Sequence, residues 1–233
     1  MGKLFDLDSP FMNVMNKLSD LIIINVIYII CCIPVFTIGA ATTALYYTTL
    51  KIVEDRGSSV VKSFFHSFVQ NFKQGTIIWL IFVLLGAVLG IDFYIMGQTG
   101  SDSYATIKAL LLVPVIAILF TTAYVFPVLS RFDNTVKRTI INAFLLSICN
   151  LPKTVAAVVL NILPIGILYV SLRLFPVTFL VGFSGVAYLN CLMFLKVFER
   201  IMPKGENEES EEMVEQVIEQ STVEESAEQK EEN

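Results

Sequence analysis

Residues 18–50 read LSDLIIINVIYIICCIPVFTIGAATTALYYTTL, and Asp20 is the only charged residue among them. As one α-helix this stretch would be about 50 Å long, whereas the hydrocarbon core of a bilayer is about 30 Å thick. Pro34 lies near its middle, where proline breaks or kinks a helix. We therefore predict two membrane spans, residues 11–33 and 35–52, with a single long span as the alternative.

The composition of the whole chain also indicates a membrane protein. Of its 233 residues, 55% are hydrophobic and 16% are charged, whereas soluble domains carry about 25% charged residues. This balance excludes a soluble enzyme domain and a nucleic-acid-binding protein. Four further apolar runs are long enough to cross a bilayer: residues 75–97, 109–129, 154–172 and 175–195. The predicted fold class is therefore all-α integral membrane, with six transmembrane helices forming three hairpins joined by amphipathic cytoplasmic connectors, and with five spans as the alternative.

Charge is distributed unevenly along the chain. Residues 1–203 carry 14 Lys or Arg against 9 Asp or Glu, whereas residues 204–233 carry 2 Lys against 12 Glu. The C-terminal segment also lacks aromatic residues, so it has too little apolar surface to offset the entropy lost on folding. We predict a transmembrane helical domain at 1–203 and an acidic, disordered cytoplasmic tail at 204–233.

Basic residues predict the orientation of the spans, because short cytoplasmic loops are enriched in Lys and Arg. Here they form four clusters separated by segments with few basic residues. The clusters are Lys3 and Lys17; Lys51, Arg56, Lys62 and Lys73; Arg131, Lys137, Arg138 and Lys153; and Lys196, Arg200 and Lys204. Six spans place all four clusters on one side, so we predict a cell-membrane protein with both termini in the cytoplasm. Five spans would place the N-terminus outside.

An internal repeat supports the three hairpins. The repeated segments are PVFTIGAATTALYY (34–47), PVIAILFTTAYVF (114–126) and PVTFLVGFSGVAYL (176–189). Each begins with Pro-Val and continues with small or hydroxyl residues, an alanine and an aromatic residue. Every unit would begin and end on the same side of the membrane, and such parallel repeats occur in membrane folds.

Each connector between two hairpins, residues 53–74 and 131–153, is predicted to be a short amphipathic helix. In the first connector an apolar stripe recurs at helical spacing, and polar residues take the other face. The stripe is Val60, Phe64, Phe65, Phe68 and Phe72, and the polar face includes Lys62, Ser63, His66 and Ser67. Such a helix would lie at the membrane surface with its basic side towards anionic headgroups, or would pack on the bundle.

No catalytic or metal-binding motif is visible in the sequence, and His66 is its only histidine. We therefore expect no enzyme activity, catalytic residue, cofactor or metal. A candidate polar cavity is the segment with Thr37, Gly39, Thr42 and Thr43, since short interrupted spans can line binding cavities. The alternative, which we favour, is close helix packing through small residues.

Asp92 and Arg173 are candidates for an ion pair near the outer face of the membrane. Asp92 lies near the outer end of the span 75–97, and Arg173 lies in the outer turn between the last two spans. A pair would tie the second hairpin to the third. The alternative is that each side chain reaches the membrane interface alone.

The segments NVIYIICCIPVFTIGAATTALYY (25–47) and FFHSFVQNFKQ (64–74) resemble the first block and the Phe-rich segment of the YesL-like bacterial membrane proteins. Shorter similarities are Asn142-Ala143-Phe144, Asn150-Leu151-Pro152 and Gly182-Phe183-Ser184. The resemblance covers residues 5–200 in order. The chain departs from the family at Ala40, where members often have a proline after the glycine.

The resemblance implies a multipass protein of Gram-positive-type bacteria, often encoded beside genes for carbohydrate uptake and glycan degradation. The family has no established biochemical activity, so it implies no site residues. We therefore expect a non-enzymatic accessory or scaffold protein associated with carbohydrate uptake, with the lipid bilayer and a sugar transporter complex as partners and no nucleic acid. The alternative is a transporter of small, sugar-like solutes, to which the Thr- and Gly-rich Pro-Val helices would supply hydroxyl groups.

Overall fold

The computed structural model describes residues 10–56, 59–98, 105–132, 134–170 and 178–198. Within these ranges the chain is helical and contains no strand. The α-helices are α1 (Pro10–Cys31), α2 (Ile38–Val53), α3 (Val60–Gln70), α4 (Phe72–Gln98), α5 (Ala105–Arg131), α6 (Val136–Cys149), α7 (Leu151–Val170) and α8 (Phe183–Phe198). A 3₁₀ turn at Val35–Thr37 precedes α2, and a π-helix at Thr178–Gly182 precedes α8.

Among the residues described, four helices are long and apolar enough to cross a membrane. They cover Met12–Cys31, Phe72–Met96, Leu110–Arg131 and Leu180–Phe198. A fifth candidate is the pair Val136–Cys149 and Leu151–Pro164, whose axes are bent by 109°. The prediction of an all-α chain with several apolar helices is confirmed for this part of the chain, and the six-span hairpin arrangement stays a prediction.

The long apolar block is divided at Pro34, as predicted. The Thr37 hydroxyl lies 2.6 Å from the carbonyl oxygens of both Cys31 and Pro34, so the Cys31 carbonyl at the end of α1 has a donor. At the far end of the pair, Lys17 of α1 forms an ion pair at 2.7 Å with Asp55, which follows α2. Helices α1 and α2 therefore form an antiparallel hairpin.

Helix α2 is enclosed by α1, α3, α4 and α5, and it buries 11 of its 16 residues. The hydroxyls of its buried threonines donate hydrogen bonds to the backbone carbonyls four residues earlier. These bonds are Thr43 to Gly39 at 2.9 Å, Thr48 to Ala44 at 2.9 Å and Thr49 to Leu45 at 2.6 Å. Polar side chains are tolerated in α2 because their donors are bonded and because protein surrounds the helix. The threonine-rich composition of this segment reflects its position inside the protein.

Helices α2 and α4 cross where two glycines meet. A Cβ atom on Gly39 would overlap the carbonyl oxygen of Gly75, and a Cβ atom on Gly75 would lie 2.9 Å from the Cα of Ala40. Real Cβ atoms do not approach backbone atoms this closely, so both positions require glycine. This contact is the close packing through small residues that membrane helices use in place of a hydrophobic driving force.

The two connectors are built alike. Asn71 follows the last residue of α3 and Asn150 follows the last residue of α6, and in each case the next long helix starts at the residue after the asparagine. The Asn71 amide donates to the Ser67 carbonyl at 3.1 Å, and the Asn150 amide donates to the Leu146 carbonyl at 3.3 Å. Each of these carbonyls also accepts the backbone N–H of the same asparagine, at 2.9 Å for Ser67 and 3.1 Å for Leu146. Backbone and side chain of each asparagine therefore both bond the last turn of the helix before it.

Helix α3 buries two serines and one phenylalanine and exposes other apolar side chains. Ser63, Phe64 and Ser67 are buried, while Phe65 and Val69 are 47% and 72% exposed. Sequence analysis placed Ser63 and Ser67 on the polar face of this helix, opposite the apolar stripe, but both side chains are buried, and α3 packs on α2. An apolar stripe through Phe65 and Val69 remains on the outside of the helix.

The chain divides into two compact units, residues 1–193 and 194–233. The described part of the second unit is the last turn of α8, where the rings of Phe194 and Phe198 lie 6.2 Å apart. The predicted tail, residues 204–233, lies outside the described residues. Its boundary with the transmembrane domain stays a prediction.

Candidate functional site

Three polar side chains from distant parts of the chain meet between α2, α7 and α8. The Asn190 amide nitrogen lies 3.1 Å from the Tyr46 hydroxyl and 3.1 Å from Asn161 Oδ1. The Tyr46 hydroxyl in turn donates to Asn161 Oδ1 at 3.5 Å. Tyr46 and Asn190 are buried, and unsatisfied polar groups are expensive in a membrane interior. This trio therefore binds the three helices together.

A small cavity lies beside the trio, and it is bordered by side chains from α1, α2, α7 and α8. Its volume is about 60 Å³. It is lined by Tyr28, Thr42, Leu45, Tyr46, Asn161, Pro164, Phe183, Val186 and Ala187. Sites for small organic molecules measure about 300–1,000 Å³, whereas one water needs only about 10–15 Å³ of such space. As it stands, the cavity can hold a few water molecules and is too small for a sugar.

A second polar junction joins α1 to the start of α8. Asn25 is buried, and its Oδ1 accepts the backbone N–H of Ser184 at 2.8 Å. Ser184 lies where the π-helix gives way to α8, so its N–H is near the beginning of the α-helical ladder, where donors lack intrahelical partners. The rings of Tyr28 and Phe183 pack beside this bond, with centroids 5.5 Å apart.

Charged residues form a cluster at the end of the α1–α2 hairpin opposite Pro34. Arg131, at the end of α5, donates to both carboxylate oxygens of Glu54 at 3.0 and 3.2 Å. Arg56 Nε lies 3.1 Å from the same carboxylate. The Glu54 and Arg131 side chains are only 14% and 16% exposed. Glu54 is therefore the shared anion that joins the end of α2 to the end of α5.

The end of α2 positions these acids. Asp55 has a φ of 54°, in the left-handed region. The Arg56 N–H donates to the Lys51 carbonyl at 3.1 Å, and the Asp55 N–H donates to the Ile52 carbonyl at 3.4 Å. This pair of bonds closes a helix in a Schellman motif, in which a left-handed residue reverses the chain. The turn directs Asp55 towards Lys17 while Glu54 pairs with the arginines.

The ion pairs bring together three of the four basic clusters identified in the sequence. Lys17 belongs to the first cluster, Arg56 to the second and Arg131 to the third. All three lie at the end of the α1–α2 hairpin that is opposite Pro34. The structure thus places residues from these three basic clusters at the same end of the hairpin, as the prediction from the sequence requires.

The four residues of the predicted polar cavity are placed in different surroundings. Thr42 borders the small cavity, with its hydroxyl 3.4 Å from that of Tyr28. Thr37 bonds the turn at Pro34, Thr43 bonds the Gly39 carbonyl, and Gly39 packs on Gly75. The structure therefore brings only Thr42 to the cavity, and a binding role for the four residues stays a prediction.

The predicted ion pair between Asp92 and Arg173 lies partly outside the described residues. Asp92 lies in α4 and is partly exposed. Arg173 lies outside the described residues. The pair stays a prediction.

Sequence analysis missed the residues that carry the polar junctions. Asn25, Asn161 and Asn190 all lie inside apolar runs, where an uncharged amide needs a partner as a charged group does. The signal that could have found them is an uncharged amide inside an apolar run. The Glu54–Arg131 pair, 77 residues apart in the chain, had no local signal.

Replacing Tyr46 by phenylalanine is expected to destabilise the protein by about 1 kcal/mol, because hydrogen bonds between membrane helices contribute about that much. The matched control is Tyr47→Phe, one residue along the same helix. Its ring, which lies 5.1 Å below the Lys51 ammonium, would remain in place, so little change is expected. Thermal unfolding in detergent measures both variants, and equal losses would show that the trio does not stabilise the structure.

Comparison with known proteins gives a match to a family whose function is unknown. The profile of a family described as "Protein of unknown function, DUF624" matches residues 21–93. No curated protein and no solved structure matches the chain. The matched range holds half of α1, all of α2 and α3, and most of α4. The chain is therefore similar to this family over its first hairpin, its first connector and the helix that follows.

Proposed function

We propose that this protein is a non-enzymatic multipass membrane protein that serves as an accessory or scaffold for carbohydrate uptake. The observation that supports the scaffold role is that polar side chains in the interior form hydrogen bonds with other parts of the protein. Tyr46, Asn161 and Asn190 bond to one another, Asn25 bonds to Ser184, and the space left beside them is about 60 Å³. Side chains bonded in this way hold helices together, and the space beside them is too small for a solute the size of a sugar.

The link to carbohydrate uptake rests on the resemblance to YesL-like proteins. These proteins carry the family segment that matches residues 21–93. The segments 25–47 and 64–74, on which the resemblance was based, fall inside that range. We therefore infer that the protein is YesL-like and that its partner is a sugar transporter complex.

Six membrane spans follow if α2 is counted as one of them. The 3₁₀ turn and α2 together contain 19 residues, which corresponds to about 30 Å at the rises of the two helix types. That is about the thickness of the hydrocarbon core. Because α2 is enclosed by protein, it does not need the uniformly apolar surface of a helix that faces lipid.

Helix α7 supplies another of the six spans. Asn161, near its middle, meets Tyr46 near the middle of α2, so the two helices are at similar depth. The 20 residues of α7 reach about 30 Å. The bend of 109° from α6 would then leave α6 close to the membrane plane.

The side of the membrane is inferred from charge. Lys17, Arg56 and Arg131 gather at one end of the α1–α2 hairpin. Because basic ends remain in the cytoplasm, we infer that this end faces the cytoplasm and that both termini do so as well.

Transport of a small, sugar-like solute is the second candidate, and the interrupted helices favour it. The break at Val35–Thr37 and the π-helix at Thr178–Gly182 lie in the two segments that border the small cavity through Thr42 and Phe183. Broken helices commonly line transport sites. This function requires a second conformation in which the cavity expands about fivefold, to the size of a small-molecule site.

Purification of the tagged full-length protein from native membranes separates the two candidates. The scaffold role predicts that subunits of a sugar transporter co-purify and that simple sugars do not change the unfolding temperature of the isolated protein. Transport predicts the reverse: a sugar stabilises the isolated chain, and the variant Thr42→Val, which removes a hydroxyl from the cavity, loses that response. Stabilisation by a sugar in the absence of partners would contradict the scaffold proposal.

A further inference from the structure

A larger cavity opens at the charged end of the α1–α2 hairpin. Its volume is about 390 Å³, within the range of about 300–1,000 Å³ that is typical of small-molecule sites. The walls come from α1, the second half of α2, the turn that follows α2, and the start of α3. Nine of the eleven described residues that line it are polar or charged, which favours a polar occupant.

Three cations from three segments border this cavity. They are Lys17 of α1, Lys51 of α2 and Arg56 of the following turn. Lys17 is held by Asp55, Arg56 is held by Glu54, and Lys51 lies over the ring of Tyr47. These contacts fix the positions of the cations without a ligand, which lowers the entropy that binding must overcome.

The charges of the lining do not cancel. Among the described residues that line the cavity, Asp20 and Asp55 are the acids against the three cations, so this part of the lining carries a net charge of +1. Asn13, Asn16 and Ser63 add groups that donate or accept hydrogen bonds. Convergent cations beside neutral hydrogen-bond donors are typical of sites that bind a phosphate. Asp55 is paired with Lys17, and the other acid, Asp20, can accept hydrogen bonds from the hydroxyl groups of a polyol attached to that phosphate.

We propose that this cavity binds the headgroup of an anionic phospholipid, with its phosphate at Lys17, Lys51 and Arg56 and its hydroxyls towards Asp20. The site lies at the end of a hairpin that crosses the bilayer in the six-span arrangement, which is the level of the inner-leaflet phosphates. Basic pockets at the cytoplasmic ends of membrane helices bind such headgroups. The proposal rests on that arrangement but is independent of any role in sugar uptake.

The test is a lipid titration of the purified full-length protein in a neutral detergent, with the unfolding temperature as readout. Phosphatidylglycerol is expected to raise the unfolding temperature in a saturable way, whereas phosphatidylcholine is not. In Lys51→Gln the half-saturating concentration of phosphatidylglycerol should rise about fivefold, since one cation near an anionic headgroup contributes about 1 kcal/mol. Lys51→Arg should restore it.

Two further variants make the result specific. Lys62→Gln removes an exposed cation of α3 that does not line the cavity, and it should leave the titration unchanged. Asn16→Asp places a negative charge in the cavity without breaking an ion pair, so it should weaken the response even if Lys51→Gln does not fold. Free glycerol phosphate is the soluble source of the same chemistry, and it should not stabilise the protein at matched concentrations.

The proposal is overturned if phosphatidylcholine stabilises as well as phosphatidylglycerol, if free glycerol phosphate matches the lipid, or if Lys51→Gln and Lys62→Gln weaken binding equally. Failure of the six-span arrangement would be detected separately, by labelling of the two ends of α1 from the two sides of the membrane. The two failures are therefore distinguishable.

Discussion

Alanine at Gly39 or at Gly75 is expected to destabilise the protein by about 3 kcal/mol or more, at the upper end of the range for overpacking. The obstacle in each case is main chain: the Gly75 carbonyl for Gly39, and the backbone of Ala40 for Gly75. A flexible side chain could rotate away from an added methyl group, but a helical backbone can yield only if α2 and α4 separate. Because α2 also contacts α1, α3 and α5, that separation would disturb several interfaces.

The matched controls lie in α4, the helix that carries Gly75. Gly86 and Gly90 have no heavy atom within 4 Å of a Cβ placed on them. Gly86→Ala and Gly90→Ala should therefore be neutral or stabilising, by up to about 1 kcal/mol from helix propensity. Thermal or denaturant unfolding in one detergent compares the four variants, and equal effects at all four glycines would refute the close crossing of α2 and α4.

Replacing Glu54 by glutamine is expected to cost about 3 kcal/mol or more, because removal of one partner of a buried ion pair typically costs about 3–5 kcal/mol. Glu54 neutralises both Arg56 and Arg131. Its loss leaves Arg131 largely buried without its anion, whereas loss of Arg131 still leaves Glu54 with Arg56. Arg131→Gln should therefore have the smaller effect of the two.

Asp55→Asn is the control for the Glu54 variant, since it removes a neighbouring carboxylate from the same turn. The Asp55 side chain is 73% exposed, and exposed ion pairs contribute only about 0–1 kcal/mol. A double-mutant cycle with Glu54→Gln and Arg131→Gln should give a coupling well above the additivity limit of about 0.5 kcal/mol. Additive effects, or an equal loss in Asp55→Asn, would show that the Glu54–Arg131 pair does not join α2 to α5.

Features set by local sequence could be predicted. The break at Pro34 follows from the missing N–H of proline, and the apolar helices follow from runs long enough to cross a bilayer. The shared end of Lys17, Arg56 and Arg131 was anticipated from the distribution of basic residues alone. In each case the feature is determined by residues that are close together in the sequence.

Features set by distant contacts could not be predicted. Asn190 meets Tyr46 across 144 positions of the chain and Asn161 across 29, and no spacing rule connects these residues. The burial of Ser63 and Ser67 depends on how closely α3 approaches α2, which amphipathic periodicity does not specify. The polar composition of α2 likewise has an explanation only once its protein neighbours are known.

The central claim is that α1 and α2 cross the membrane separately, with the basic end in the cytoplasm. Single cysteines in a variant without Cys31, Cys32, Cys149 and Cys191 test it with a membrane-impermeant thiol reagent. The account predicts that Val35→Cys, in the exposed turn between α1 and α2, is labelled in intact cells. It predicts that Asn13→Cys is labelled only after the membrane is permeabilised. Labelling of Asn13→Cys in intact cells, with Val35→Cys protected, would mean that the block forms one span and would contradict the account.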